Sequence, residues 1–184
     1  MSSVNFITSS NEELTDDNEC IHLFITNNCS GYKVKIVEQF FNTDSTFIFL
    51  QETHHFESAK HIYDSTNKFK TFQVSGMDEC TANPVKRGGI ITYVNNKITN
   101  ETTIHVATWQ YLVTITGKIV CINVYLPQQN LFNNGVYSQS ISEIIGVIEE
   151  LGDSYAYILV GDFNSNGLNT GPFRHLIEIL DLDD

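Results

Sequence analysis

Four apolar runs of strand length in this chain pass directly into a cluster of acids and amides, and that repeated junction limits the fold more than any other feature. The junctions are Asn27-Asn28-Cys29-Ser30-Gly31, Gln51-Glu52-Thr53, Tyr125-Leu126-Pro127 and Gly161-Asp162-Phe163-Asn164. Folds that mix helices with sheets place their ligand sites beyond the carboxyl ends of strands. The spacing of apolar residues predicts a strand at about 20–27, a helix at about 32–42, a strand at about 46–50 and a helix at about 56–66. After Gly76 the pattern changes to consecutive strands, at 88–94, 101–109, 111–117 and 118–127, which reads as an antiparallel meander with a short turn at Thr116-Gly117-Lys118. A helix at about 136–151, with Ile141, Ile144, Ile145, Ile148 and Leu151 on one face, then leads into a buried strand at 156–160 and a last amphipathic segment at 172–182. The class expected is α/β (α+β).

With 184 residues, 41% of them hydrophobic, one core is the expectation. Residues 1–19 are polar, contain five acids and no base, and are expected to form a disordered leader to a domain spanning 20–184. No run approaches the length of a membrane span and the start lacks the basic and apolar regions of a secretion signal, so an intracellular protein without membrane contact is expected. The four cysteines, Cys20, Cys29, Cys80 and Cys121, are far apart and read as thiols, not as disulfides or zinc ligands. Net charge is −12, with 10 bases against 22 acids, of which −7 remains on residues 20–184. Such a balance argues against tight, unaided binding to DNA.

Glu52 follows Phe47-Ile48-Phe49-Leu50-Gln51, so its carboxylate leaves a buried strand and needs a cation or hydrogen bonds around it. Asp162 and Asn164 are two residues apart, and in extended backbone both would face one point. Magnesium accepts one or two carboxylates while keeping waters and substrate oxygens, which suits such a set. Each feature also has a plainer reading: a carboxylate after a strand often caps the next helix, and Gly-Asp-Phe-Asn-Ser-Asn-Gly would serve as an Asx-rich turn.

Taken together, Asn28 within ITNNCSG, Phe49-Leu50-Gln51-Glu52-Thr53, Arg87-Gly88-Gly89-Ile90, Asn123-Val124-Tyr125-Leu126-Pro127 and Gly161-Asp162-Phe163-Asn164 resemble, in order and spacing, the endonuclease/exonuclease/phosphatase superfamily of DNase I-like proteins. The resemblance covers roughly residues 20–182, and its wording is most similar to the endonuclease domains of non-LTR retrotransposons. It implies a four-layer αββα sandwich and a metal-dependent phosphodiester hydrolase acting on DNA, with magnesium as the cofactor and manganese as the substitute. By resemblance Glu52 would ligate the metal, Asn28 would help place metal or phosphate, and Tyr125 would contact the scissile phosphate. Asp162 would orient or deprotonate the attacking water, and Asn164 would hydrogen-bond phosphate oxygens.

The chain departs from that pattern at Cys29-Ser30-Gly31, where relatives commonly carry Asn or Asp before the glycine. Relatives also continue past Gly-Asp-Phe-Asn to another site Asp and a closing Asp-His pair, whereas this chain ends at Asp184. The expectation is therefore a sandwich incomplete at its C-terminus, with impaired activity. By resemblance, His54 and His55 are expected only to open a loop or helix. The alternatives are a non-catalytic retrotransposon-derived remnant or binding module, and a phosphatase or phospholipase of the same superfamily.

Overall fold

The computed structural model describes residues 4–7, 23–56, 58–59, 66–76, 88–128, 134–164 and 172–180. Nine strands and three helices are formed there, in the order β1 (Val4–Ile7), β2 (Phe24–Asn28), α1 (Val34–Phe41), β3 (Phe47–Gln51), β4 (Phe69–Val74) and β5 (Ile90–Asn95), then β6 (Thr102–Ala107), β7 (Tyr111–Thr116), β8 (Ile119–Tyr125), α2 (Asn134–Leu151), β9 (Ala156–Asp162) and α3 (Pro172–Ile179). The strands make two mixed sheets, one ordered β1-β9-β8-β7-β6 and the other β2-β3-β5-β4.

Alternation along each strand divides the apolar residues into three cores. Between the sheets, Phe47, Phe49, Phe72, Ile90 and Val94 meet Leu112, Cys121, Ile158 and Val160. On the outer face of the four-stranded sheet, Ile48, Leu50, Ile91 and Tyr93 pack against Val37 and Phe41 of α1. On the outer face of the five-stranded sheet, Val113, Ile122, Val124 and Leu159 pack under Ile141, Ile144 and Ile148 of α2 and Phe173 and Leu176 of α3. Helix, sheet, sheet and helix therefore stack as an αββα sandwich.

The first two helices, α1 and α2, end where side chains take over their last carbonyls. At the end of α1, the Asn42 amide donates to the Glu38 carbonyl at 3.1 Å and the Thr43 hydroxyl to that of Phe40 at 2.6 Å. Past α2, Gly152 takes φ +69°, and the Tyr157 hydroxyl reaches back to the carbonyls of Ile148 and Gly152 at 3.2 and 2.8 Å. No helix among the described residues is long and apolar enough to cross a membrane.

Four details differ from the sequence expectation. Residues 4–7, placed in a disordered leader, form β1 and pair antiparallel with β9, Val4 opposite Gly161; four residues are too short for their pattern to register. β4 was not anticipated, because Phe69, Lys70, Thr71, Phe72, Gln73 and Val74 mix apolar and polar residues on an edge strand with one wet side. β5 is not part of the meander: it lies between β3 and β4 in the four-stranded sheet, and the meander consists of β6, β7 and β8 as successive antiparallel neighbours. The helix expected at 56–66 falls largely outside the described residues, and Phe56, Ser58, Ala59 and Thr66 are not helical.

Cys121 is fully buried, and burial alone pushes its thiol well above the usual range. Cys29 is pushed up to about 11, by burial first, with Lys33 opposing and Glu52 assisting. Cys20 and Cys80 lie outside the described residues.

A small polar cluster crosses the inner core. Gln51 and Asn123 are both fully buried, and the Gln51 amide donates to the Asn123 side-chain oxygen at 2.7 Å. Asn123 donates in turn to the Ile91 carbonyl at 3.0 Å and the Thr92 hydroxyl at 3.2 Å, and the Gln51 amide also reaches the Thr26 hydroxyl at 3.2 Å. Each amide thus supplies what the other sheet would otherwise leave unmet.

Four substitutions test this packing. In Gln51→Leu or Asn123→Leu the surviving amide loses its partner across the sheets, and each should lose about 1–3 kcal/mol in urea unfolding, while the double variant should lose less than the sum. Gly161 has φ +145°, and a Cβ there would overlap the Val124 carbonyl; Gly161→Ala should lose at least about 3 kcal/mol. By contrast Gly146, in the interior of α2 with open space around it, should gain roughly 0.5–1 kcal/mol as alanine in the same assay.

Candidate active site

The two parallel pairs of strands end side by side. In the four-stranded sheet β2 runs parallel to β3 with Asn28 opposite Gln51, and in the five-stranded sheet β8 runs parallel to β9 with Tyr125 opposite Asp162. Stacking the sheets brings all four ends to one edge, and the five residues singled out from sequence, Asn28, Glu52, Tyr125, Asp162 and Asn164, converge there.

Glu52 reaches this edge by a break in alternation. Gln51 faces inward, so an extended Glu52 would face α1; instead it takes φ +54°. Backbone on both sides holds that conformation. Gly31 donates to the Glu52 carbonyl at 2.7 Å and Tyr32 to that of Thr53 at 2.7 Å, while Thr53 and His54 donate to the carbonyls of Gly89 and Gly88 at 3.1 and 3.0 Å. Gly89 has no alternative, since a Cβ there would lie 2.6 Å from the Thr53 hydroxyl. The Gly-Gly signal in the sequence is thus the bed on which the Glu52 loop rests.

The Glu52 carboxylate receives the Ser30 hydroxyl on one oxygen at 3.2 Å and the Tyr125 hydroxyl on the other at 3.3 Å, with His54 Nε2 3.6 Å from that second oxygen. The Tyr125 phenol is pushed up to about 12, first by burial, then by the negative charge and hydrogen bond of Glu52, then by Asp162. It therefore remains a donor at any ordinary pH.

Asp162 is buried and oriented from two sides. The Asn28 amide donates to Oδ2 at 2.6 Å, and the backbone N–H of Asn164 donates to Oδ1 at 3.0 Å. Asn28 turns its own oxygen to the Ser30 N–H at 3.1 Å, and the Asn164 amide donates to the Leu126 carbonyl at 2.8 Å. Asn28 and Asn164 are thus engaged with protein groups here, holding Asp162 and the β8 end in place. The Asx-turn reading of Gly-Asp-Phe-Asn is also met, by the same Asp162 that faces the site.

Backbone strain concentrates here. Among the described residues five non-glycine positions have positive φ, Ser30, Glu52, His54, Asn67 and Asn164, and all except Asn67 belong to this edge. Sequence reasoning undervalued Ser30 and His54. Ser30 stood where an acid or amide was expected, and His54 was read as a loop opener; their approach to Glu52 depends on left-handed backbone that no periodicity reveals.

Among the described residues neither Glu52 nor Asp162 is paired with a lysine or arginine, and no group of three or more His, Cys, Asp and Glu forms a cage for a metal. The donors on offer are one accessible carboxylate with hydroxyl and amide oxygens nearby. That set does not suit zinc, which wants several nitrogen or sulfur ligands. It suits a hard cation that keeps much of its water, and Glu52 is the residue that would hold it.

No protein-family model matches the chain, and no curated protein matches it in sequence. Solved structures do match. An AP endonuclease from Archaeoglobus fulgidus is similar over 86% of this chain and 71% of its own, with TM-score 0.60 and 12% identity. A truncated Caenorhabditis elegans TDP2 is similar over 75% of this chain and 57% of its own, with TM-score 0.50 and 13% identity. The human Nocturnin catalytic domain with bound sulfate is similar over 77% and 59%, with TM-score 0.50 and 12% identity. The chain thus spans less than two thirds of the last two. At these identities the likeness is one of architecture, and the chain has a DNase I-like αββα fold.

Proposed function

We propose that this chain is a divalent-metal-dependent phosphodiester hydrolase domain of the endonuclease kind, with DNA as substrate and magnesium as the ion that Glu52 holds. The observation that carries the proposal is the meeting of Glu52 and the doubly oriented Asp162 at one edge with no lysine or arginine partner among the described residues. The AP endonuclease among the structural neighbours supports the same reading. So does the wording Leu50-Gln51-Glu52-Thr53-His54, Asn123-Val124-Tyr125-Leu126-Pro127 and Val160-Gly161-Asp162-Phe163-Asn164, which supports a retrotransposon-type endonuclease as the finer assignment.

The ion would neutralise charge growing on the phosphoryl oxygens. Asp162 is fixed by Asn28 and the Asn164 N–H as an acceptor, so it can draw a proton from an attacking water. Tyr125, held protonated, keeps a hydroxyl beside Glu52 that can pass to a phosphate oxygen. Ser30 steadies the Glu52 oxygen that Tyr125 does not reach. Among the described residues no histidine hydrogen-bonds Asp162 and none of them supplies an imidazole to relay its proton, so turnover is proposed to be slow. The net charge of −12 favours a second reading, a smaller phosphoester such as an inositol phosphate or phospholipid headgroup, because such substrates present fewer phosphates for the protein to neutralise.

Calorimetry should detect magnesium binding to the wild type and none to Glu52→Ala, whereas Asp162→Asn should bind magnesium and lose hydrolysis. In a supercoiled-plasmid assay the wild type should nick slowly in magnesium. Equal magnesium binding by wild type and Glu52→Ala would remove the basis of the assignment, and turnover of an inositol phosphate without nicking would select the second reading.

The phenol gives a separate check. A group whose folded value is raised contributes stability that is complete below its unfolded value, here 10.0, and is lost as pH rises through its folded value, about 12. Absorbance titration at the phenolate band should therefore place the step removed by Tyr125→Phe near 12, and a step near 10 would show the phenol to be free of Glu52.

A further inference from the structure

The exposed aromatic rings among the described residues are not scattered. Among the described residues the large hydrophobic side chains left exposed are four aliphatic ones, Leu23, Val34, Ile104 and Val136, and two aromatic ones, Phe56 and Trp109. Both rings lie in loops at the edge that carries the site. Phe56 is four residues past Glu52, and Trp109 sits in the turn between β6 and β7, one strand away from Tyr125. Single exposed hydrophobics are ordinary; two rings, one from each sheet, on the rim of a single phosphoester site are harder to dismiss.

The turn that carries Trp109 is rigid and tied to the site. Thr108 donates its N–H to the Tyr111 carbonyl at 2.9 Å, and its hydroxyl oxygen accepts the N–H groups of Gln110 and Tyr111 at 3.2 and 3.0 Å. The Gln110 carbonyl then accepts the N–H of Tyr125 at 2.7 Å. A single peptide therefore connects the turn to the residue whose hydroxyl rests on Glu52. Trp109 itself is 41% exposed, an indole held on a fixed backbone with much of its surface in water.

Resting on the phosphodiesterase reading and deepening it, we propose that Trp109 is a stacking platform for a nucleobase adjoining the phosphate bound at Glu52 and Asp162. Every base has a π-face and stacks on an indole without needing a positive charge. That matches a chain with only 10 lysines and arginines against 22 acids, which cannot draw most of its affinity from phosphate neutralisation. An inositol ring or glycerol headgroup has no π-face and would gain little from an indole there, so the platform selects nucleotides over the lipid-derived phosphoesters. The bound strand is unstacked at that base, as in a single strand or a frayed duplex end.

Trp109 is the sole tryptophan, so its emission reports directly on its own surroundings. The experiment titrates the full chain in magnesium with a short phosphorothioate oligothymidylate, reading tryptophan emission together with the anisotropy of a labelled copy of the oligonucleotide. Saturable quenching that follows the anisotropy is expected. Trp109→Ala should weaken binding about 5- to 150-fold, the range that stacking on one base supplies, with Trp109→Phe in between; circular dichroism should find both variants folded, since the ring is exposed. Affinity should fall only gently with salt. Trp109→Ala binding the oligonucleotide as the wild type does would overturn the platform, as would emission that responds to phosphoinositide vesicles and not to the oligonucleotide. Neither result touches the magnesium titration of Glu52→Ala, so loss of the platform and loss of the phosphodiesterase reading are read separately.

Discussion

The hydrogen bond between Gln51 and Asn123 sets the distance and register between the two sheets at the point where it matters. Apolar residues alone would let one sheet slide on the other at modest cost, because dispersion and burial are not directional. A buried amide pair resists sliding, since each partner would lose its cross-sheet hydrogen bonds in a dry interior that offers no water to replace them. Gln51 immediately precedes Glu52, and Asn123 lies two residues before Tyr125 on the same strand face. Locking these two side chains fixes where the Tyr125 hydroxyl meets the Glu52 carboxylate. It also fixes how β9, in parallel register with β8, brings Asp162 up to Asn28.

Much of this was legible in the sequence, because the residues that make the frame obey simple periods. The Ile141, Ile144, Ile145 and Ile148 spacing marks α2, and the unbroken apolar runs at Phe47–Leu50 and Tyr157–Val160 mark strands covered on both faces. The strand ends were legible for a related reason: polar residues directly after such runs have few explanations. What the periods could not convey was sheet membership. β5 and β6 follow one another in the chain and look alike, yet they belong to different sheets, because β5 completes the partner of β3. Sequence adjacency suggested a hairpin where the chain crosses from one layer to the next.

The site was legible in its members and less so in its contacts. Glu52, Asp162, Tyr125, Asn28 and Asn164 could be named from strand ends and from a resemblance. Which of them touches which depends on backbone at Ser30, Glu52, His54 and Asn164 that leaves the ordinary regions for an L-residue. Ser30 illustrates the limit: as a residue type it looked like the loss of an oxygen ligand, and in place it is a hydroxyl donor to Glu52. His54 illustrates the opposite case, a residue whose loop reading was correct for its backbone and silent about where its ring points.

The strained position of Glu52 sets the demands of the fold against those of the site. Glycine would occupy φ +54° more comfortably, and glycine at Ser30, His54 and Asn164 would relieve the same discomfort. The most comfortable version of this chain is therefore one without the Glu52 carboxylate, the Ser30 hydroxyl and the His54 imidazole at that edge. Stability screens on this protein will tend to reward the erosion of its site, so a variant chosen for a higher melting temperature has to be examined first at these four positions.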